Sequence, residues 1–172
     1  GKGIELYLAS SNINDWAGFD TTGMTWANLY NSVDDWEEGA FNTNGAVHPD
    51  YGWGLYNAIT HDINASRFFI LKLADGSFKK IKIDKMTASG VYDFTYENLD
   101  GSSTQTKSID KANLTGKNFV YFNISYGSIV DSEPIASTWD MLFTKYLSPT
   151  LSYYPVSGIK VRKGLLVAQR SG

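Results

Sequence analysis

The chain has 172 residues, a net charge of −3, 42% hydrophobic residues, 19% charged residues and no cysteine. A chain of this length normally forms one domain with a substantial core, and this composition is too apolar for a disordered protein. The lack of cysteine excludes disulfides, thiolate metal sites and a cysteine nucleophile. The lack of a basic excess argues against a nucleic-acid partner.

The apolar residues alternate with a period of two along most of the chain, which predicts strands. The first alternating run is Ile4 to Leu8. Only two short stretches, 25–33 and 107–114, favour helical turns. A helical bundle is therefore excluded.

Residues 67–85 predict a hairpin that turns at Asp75-Gly76, because Asp-Gly between alternating apolar runs is a strong hairpin signal. Lysines recur along its second strand and predict a solvated strand face: Lys79, Lys80, Lys82 and Lys85. A further strand, 91–96, is expected to lead through a second turn at Asp100-Gly101 into 104–109.

The C-terminal third predicts a central strand at 119–125, a strand pair at 139–146 and 156–161, and a closing apolar run at 165–168. In the strand pair, Trp139, Met141 and Phe143 are expected to face the core, because successive side chains alternate across a strand. Asp140 is then expected at the sheet surface. The sequence thus predicts an all-β fold, a single antiparallel β domain over residues 1–172 with little helix.

No catalytic constellation emerges from the sequence. His48 and His61 are the only histidines, and their spacing matches no metal motif, so no metal centre built from side chains is predicted. No nucleophile elbow of the Gly-x-Ser-x-Gly type is present. The acidic cluster at 34–38 is interpreted as a solvated edge, because adjacent acids on a strand point to opposite faces. We therefore predict that the protein is not an enzyme.

Several segments together carry a family resemblance: Ser137 to Tyr146, Tyr153 to Val161, Asp34 to Asn42, Asp50 to Asn57, and Arg67 to Ile81. They resemble the HmuY-like haem-binding proteins of Bacteroidetes, an all-β surface lipoprotein family. The resemblance is clearest over residues 34–172. It implies a sandwich of hairpins.

The resemblance also implies a function. It points to a hemophore-like protein without enzymatic activity, which captures haem for iron acquisition and passes it to an outer-membrane transporter. The implied partners are haem, haem-carrying host proteins and a TonB-dependent receptor. The implied location is the cell surface or the extracellular space, as an outer-membrane lipoprotein whose signal and lipidated cysteine lie outside this sequence.

The family holds haem through paired histidines or paired methionines, so the candidate axial ligands are Met86, His61 and His48. Met86 is expected in a polar loop, and Asp62 is expected to orient His61. A second hypothesis is that the protein is a surface adhesion or glycan-binding module without haem, because aromatic faces bind sugar rings. Its candidate ligand-binding residues are Trp53 and Tyr51.

Overall fold

The computed structural model describes residues 3–33, 38–148, 154–162 and 164–168, with side chains undescribed at 147 and 148. The strands in chain order are β1 (Glu5–Ser10), β2 (Asn28–Leu29), β3 (Gly54–Tyr56), β4 (Ile63–Ala65), β5 (Phe68–Lys72), β6 (Phe78–Met86), β7 (Val91–Asn98), β8 (Gln105–Asp110), β9 (Tyr121–Asn123), β10 (Ser128–Val130), β11 (Met141–Ser148) and β12 (Tyr154–Val161). Short 3-10 turns are found at Ile13–Trp16, Ala40–Asn42, Lys111–Leu114 and Ala136–Thr138.

Every strand pairing in the described part of the chain is antiparallel, which confirms the all-β prediction. In the same residues, no helix is long and apolar enough to span a membrane. The chain divides into two compact units, one of Gly1–Ser32 with Glu37–Lys111 and one of Val33–Trp36 with Ala112–Gly172. The single domain over 1–172 and its sandwich arrangement stay predictions.

The N-terminal unit contains one eight-stranded sheet. Its order is β2, β1, β5, β6, β7 and β8, and β4 also pairs with β6 beyond the end of β5. Strand β3 pairs with β4. The predicted turns at Asp75-Gly76 and Asp100-Gly101 are confirmed, since each aspartate side chain accepts the N–H of the serine two residues later.

The core of this unit lies on both faces of the sheet. Phe68 and Phe69 are adjacent in β5 and fully buried, and adjacent strand residues point to opposite faces. Phe68 packs against Trp16 and Phe19 at ring-centroid distances of 5.4 and 5.0 Å. Phe69 packs against Phe41 at 4.9 Å. The irregular segments before β3 therefore cover the sheet from two sides.

The predicted solvated lysine face is wrong at Lys80. This residue is 1% exposed and forms an ion pair with Glu97 at 2.8 Å. Its Nζ also donates to the Trp16 carbonyl at 2.8 Å and lies 4.8 Å from the Trp16 ring centroid. The alternating pattern places Lys80 on the same face as Ile70, its partner in β5, and that face is covered by the N-terminal segment.

Both predicted helical stretches contain strand where pairing overrides local preference, and the second keeps one helical turn. The predicted helical stretch 25–33 contains β2, whose Asn28 and Leu29 pair with β1. The predicted helical stretch 107–114 is strand up to Asp110 and a 3-10 turn only at Lys111–Leu114.

The C-terminal unit contains two separate hairpins, β9–β10 and β11–β12. The predicted central strand at 119–125 is wrong, because only Tyr121–Asn123 is strand and it pairs with β10 alone among the described strands. The predicted closing run 165–168 contains no strand. Among the described residues of this unit, the one that is buried is Glu133, whose carboxylate accepts the backbone N–H groups of Asn118 and Phe119 at 3.0 and 2.7 Å.

The predicted β11–β12 strand pair is confirmed, with Phe143 opposite Ile159. The predicted core face is wrong, because Met141 and Phe143 are exposed, and Trp139 is half-buried and precedes the strand. The physical reason is that the hairpin forms a two-stranded sheet of its own, without a second layer on that face in the described residues. Asp140 is exposed, as predicted.

Candidate functional site: an exposed histidine–tyrosine cluster

The site is built on the segment from His48 to His61. Asp50 and Leu55 form a bridge, and the Tyr51 N–H donates to the Gly54 carbonyl at 2.9 Å, which makes a tight turn. Gly54 pairs with Ala65, and a Cβ at Gly54 would lie 2.5 Å from the Asn64 carbonyl oxygen. Glycine is therefore required for this close approach to β4.

A partly buried ion pair links the turn to the start of β5. Arg67 donates to both carboxylate oxygens of Asp50 at 2.7 Å and to the Gly52 carbonyl at 3.1 Å. The Gly52 N–H donates back to Asp50 at 2.8 Å. The hydrogen bonds from Arg67 lower the pKa of Asp50 from 3.8 to about 2. The carboxylate is thus ionised at neutral pH and holds the turn at the start of β5.

The two histidines of the chain lie beside one tyrosine. The Tyr56 ring centroid is 5.2 Å from that of His48 and 6.0 Å from that of His61. The Tyr56 hydroxyl is 2.5 Å from His61 Nδ1. The Tyr51 ring centroid is 6.2 Å from that of His48. We call His48, Tyr51, Tyr56 and His61 the His–Tyr cluster.

The cluster is accessible to a ligand. Both imidazoles are exposed, Tyr51 is 40% exposed, and the nearby sequence adds three exposed apolar side chains, Val47, Leu55 and Ile59. His61 has a φ of 60°, a conformation uncommon outside glycine, and its N–H donates to the Asn57 carbonyl at 2.8 Å. The local backbone therefore sets the direction of this imidazole.

The cluster has the chemistry of a site for one metal-bearing ligand. When His61 Nδ1–H donates to the Tyr56 hydroxyl, the lone pair of Nε2 is left for a metal, and such a partner fixes both tautomer and ring orientation. In the described part of the chain, no group of three or more His, Cys, Asp or Glu side chains could hold a bare metal ion.

The other predicted site residues lie elsewhere. Met86 is the last residue of β6, half-buried between Ile63 of β4 and Tyr92 of β7, so its placement in a polar loop is wrong. Trp53 is 6% exposed and packs against Tyr92, so its ring face is not open to a sugar.

The expected orienting role of Asp62 is also wrong. Its carboxylate pairs with Lys85 at 2.8 Å and accepts the Ala88 N–H, whereas His61 contacts Tyr56. Tyr56 is the member of the cluster that the sequence did not single out as a candidate site residue. The feature that could have indicated it is the turn that ends at Gly54. After this turn the chain runs antiparallel to its preceding segment, which brings residue 56 beside residue 48.

Comparison with known proteins adds no assignment. No family model, no curated protein and no solved structure matches the chain.

Proposed function

We propose that the protein is a non-enzymatic haem-binding protein, which holds the iron through the His–Tyr cluster. The observation that carries the proposal is the convergence of both histidines, 48 and 61, on the ring of Tyr56. Haem iron in proteins takes histidine and tyrosine among its axial ligands. The exposed Val47 and Ile59 lie within two residues of His48 and His61 in the chain and would offer apolar contacts to a porphyrin.

The family resemblance supports the same ligand and extends the proposal. The protein would capture haem at the cell surface, take it from haem-carrying host proteins and deliver it to a TonB-dependent receptor. Binding would proceed without turnover: the imidazoles of His48 and His61 would hold the iron, and the Tyr56 hydroxyl, in contact with His61 Nδ1, would orient that ring. The Asp50–Arg67 pair keeps the turn in place during binding.

The test is a hemin titration of the purified protein followed by the Soret band. We expect a saturable shift at one equivalent, weakened by roughly tenfold or more in His61→Ala and in His48→Ala. Met86→Leu is the matched control and should bind as the unaltered protein does. No spectral change with the unaltered protein, or a loss confined to Met86→Leu, would contradict the proposal.

Tyr56→Phe tests the positioning role within the same site. Loss of the hydroxyl removes the partner of His61 Nδ1 and keeps the ring beside both histidines. We expect hemin affinity to fall by about tenfold, the size seen when a residue that orients a metal ligand is removed. Unchanged affinity and an unchanged spectrum would remove Tyr56 from the mechanism.

A second candidate, glycan binding without haem, is favoured by one observation: the 40% exposure of the Tyr51 ring at the rim of the turn. An exposed aromatic face is a usual platform for a sugar ring. If this function is right, Tyr51→Ala abolishes retention on a polysaccharide array and changes thermal stability little. No retention of the unaltered protein would exclude this function, and retention that survives in Tyr51→Ala would exclude Tyr51 as its platform.

A further inference from the structure

The charges of the chain are strongly segregated along the sequence. Residues 141–172 contain five Lys or Arg and no Asp or Glu, whereas residues 1–140 contain ten Lys or Arg and all 18 acids. The two parts therefore carry net charges of +5 and −8. The basic part contains the β11–β12 hairpin, in which Lys145 is exposed.

The same hairpin exposes a continuous apolar face. Met141 is 60%, Phe143 71% and Ile159 63% exposed. The register places Phe143 directly opposite Ile159, and a shallow groove runs beside this pair, past Lys145 and Ser157. Large apolar side chains at this density on a surface mark an interaction site.

In the described part of the chain, neither edge of the hairpin carries a third strand. Each strand has eight residues, and among the described strands β11 and β12 pair only with one another. A long, apolar edge presents a row of N–H and C=O groups that another strand can pair with.

We infer that the β11–β12 hairpin docks onto the acidic surface of residues 1–140 of a second copy of this chain. A protein strand satisfies the edges of the hairpin, which a lipid surface does not. The second copy also offers the opposite charge, whereas an anionic membrane would be repelled by the −8 of the rest of the chain. Two hairpins facing each other would repel, so we infer a head-to-tail contact, in which the hairpin of one copy meets the acidic part of the next. Repetition of such a contact builds rings or open chains of molecules.

The test is sedimentation velocity of the full chain over a range of concentrations, at about 50 mM and about 500 mM salt, because screening separates charge attraction from apolar contact. We expect species larger than a dimer to grow with concentration at low salt and to recede at high salt. Lys145→Glu should weaken this association by roughly tenfold or more, because it reverses a charge within the docking face.

Lys107→Glu, on β8, makes the same change of charge in the acidic part of the chain and should not weaken the association. Phe143→Ser is the second variant and should also weaken the association, with circular dichroism checking that the fold is kept. Labelled Lys145→Glu keeps its acidic surface, so it should still sediment with the unaltered protein.

Three results would overturn the inference. The first is a single 19.1 kDa species at every concentration at low salt, and the second is a closed dimer whose association is unchanged by Lys145→Glu. The third is an equal change of association in the two lysine variants. A last experiment measures binding of the protein to vesicles of phosphatidylcholine and phosphatidylglycerol. Binding to these vesicles by a protein that stays monomeric would assign the hairpin to a lipid surface and overturn the second copy as its partner.

Discussion

Lys80 shows how one residue can join distant parts of the chain. Its ammonium group is buried against Glu97 from β7 and the carbonyl and ring of Trp16. Thr104 donates to the second oxygen of Glu97 at 2.9 Å, so both oxygens of the buried carboxylate have partners. A buried charge of this kind is tolerated only when it is paired and hydrogen-bonded. The pair therefore specifies where the N-terminal segment docks on the sheet.

Glu97→Ala should lower the free energy of unfolding by roughly 3–5 kcal/mol, because it leaves the Lys80 ammonium buried without its counter-ion. The double variant Lys80→Met with Glu97→Leu should recover most of that loss, since an apolar pair needs no charge compensation. Urea unfolding at neutral pH measures both. A loss below about 0.5 kcal/mol in Glu97→Ala would show that the pair is hydrated in solution.

The Asp50–Arg67 pair predicts a defined pH dependence. The pKa of Asp50 falls from 3.8 to about 2 on folding, so its stabilising effect is complete above pH 3.8 and is lost as the pH falls through 2. We expect Asp50→Asn to cost about 2 kcal/mol at pH 7 and almost nothing near pH 2, from urea unfolding at several pH values. A difference between the two proteins that stays constant down to pH 2 would contradict this account.

At the scale of elements, the turn that presents the His–Tyr cluster depends on its contact with β4. Gly54→Ala places a methyl group 2.5 Å from the Asn64 carbonyl oxygen and 2.9 Å from a methyl group of Ile63. We expect a loss of roughly 1–3 kcal/mol in the free energy of unfolding and weaker hemin binding, because the β3–β4 pairing must shift.

Gly3→Ala is the matched control for this variant, since its new methyl group meets nothing within 4 Å. Thermal unfolding of the two variants side by side decides the point. Equal stability of Gly54→Ala and Gly3→Ala would mean that the turn adjusts without cost.

The sequence predicted those elements that are determined by residues close together in the chain. The hairpins at Asp75-Gly76 and Asp100-Gly101 were predictable because the turn residues and the flanking alternation agree. The strand at Asn28–Leu29 was not, because it exists through its pairing with β1 rather than through its own propensity.

The local sequence could not predict which face of β11 is exposed. Alternation shows that Met141 and Phe143 share a face, and only the absence of a covering layer in the described residues decides that this face is exposed.

At the scale of the whole molecule, the sequence supplied the parts of the site but not their arrangement. His48 and His61 were candidates because histidine is a ligand type, and their meeting at Tyr56 depends on the Asp50–Arg67 pair, which joins residues 17 apart. Met86 failed as a loop residue because the β6 strand extends to include it. The difference in net charge between residues 1–140 and 141–172, in contrast, follows from the sequence alone.

The most direct test of haem capture by the His–Tyr cluster uses the fact that the chain has two histidines, so ¹⁵N-histidine labels only His48 and His61. Electron spin echo envelope modulation of the ferric hemin complex then detects whether a labelled imidazole nitrogen is bonded to the iron. We predict ¹⁵N coupling in the complex, with a change or loss of that coupling in His61→Ala. A complex that shows its Soret band with no ¹⁵N coupling would place the iron on another ligand and contradict the proposed site.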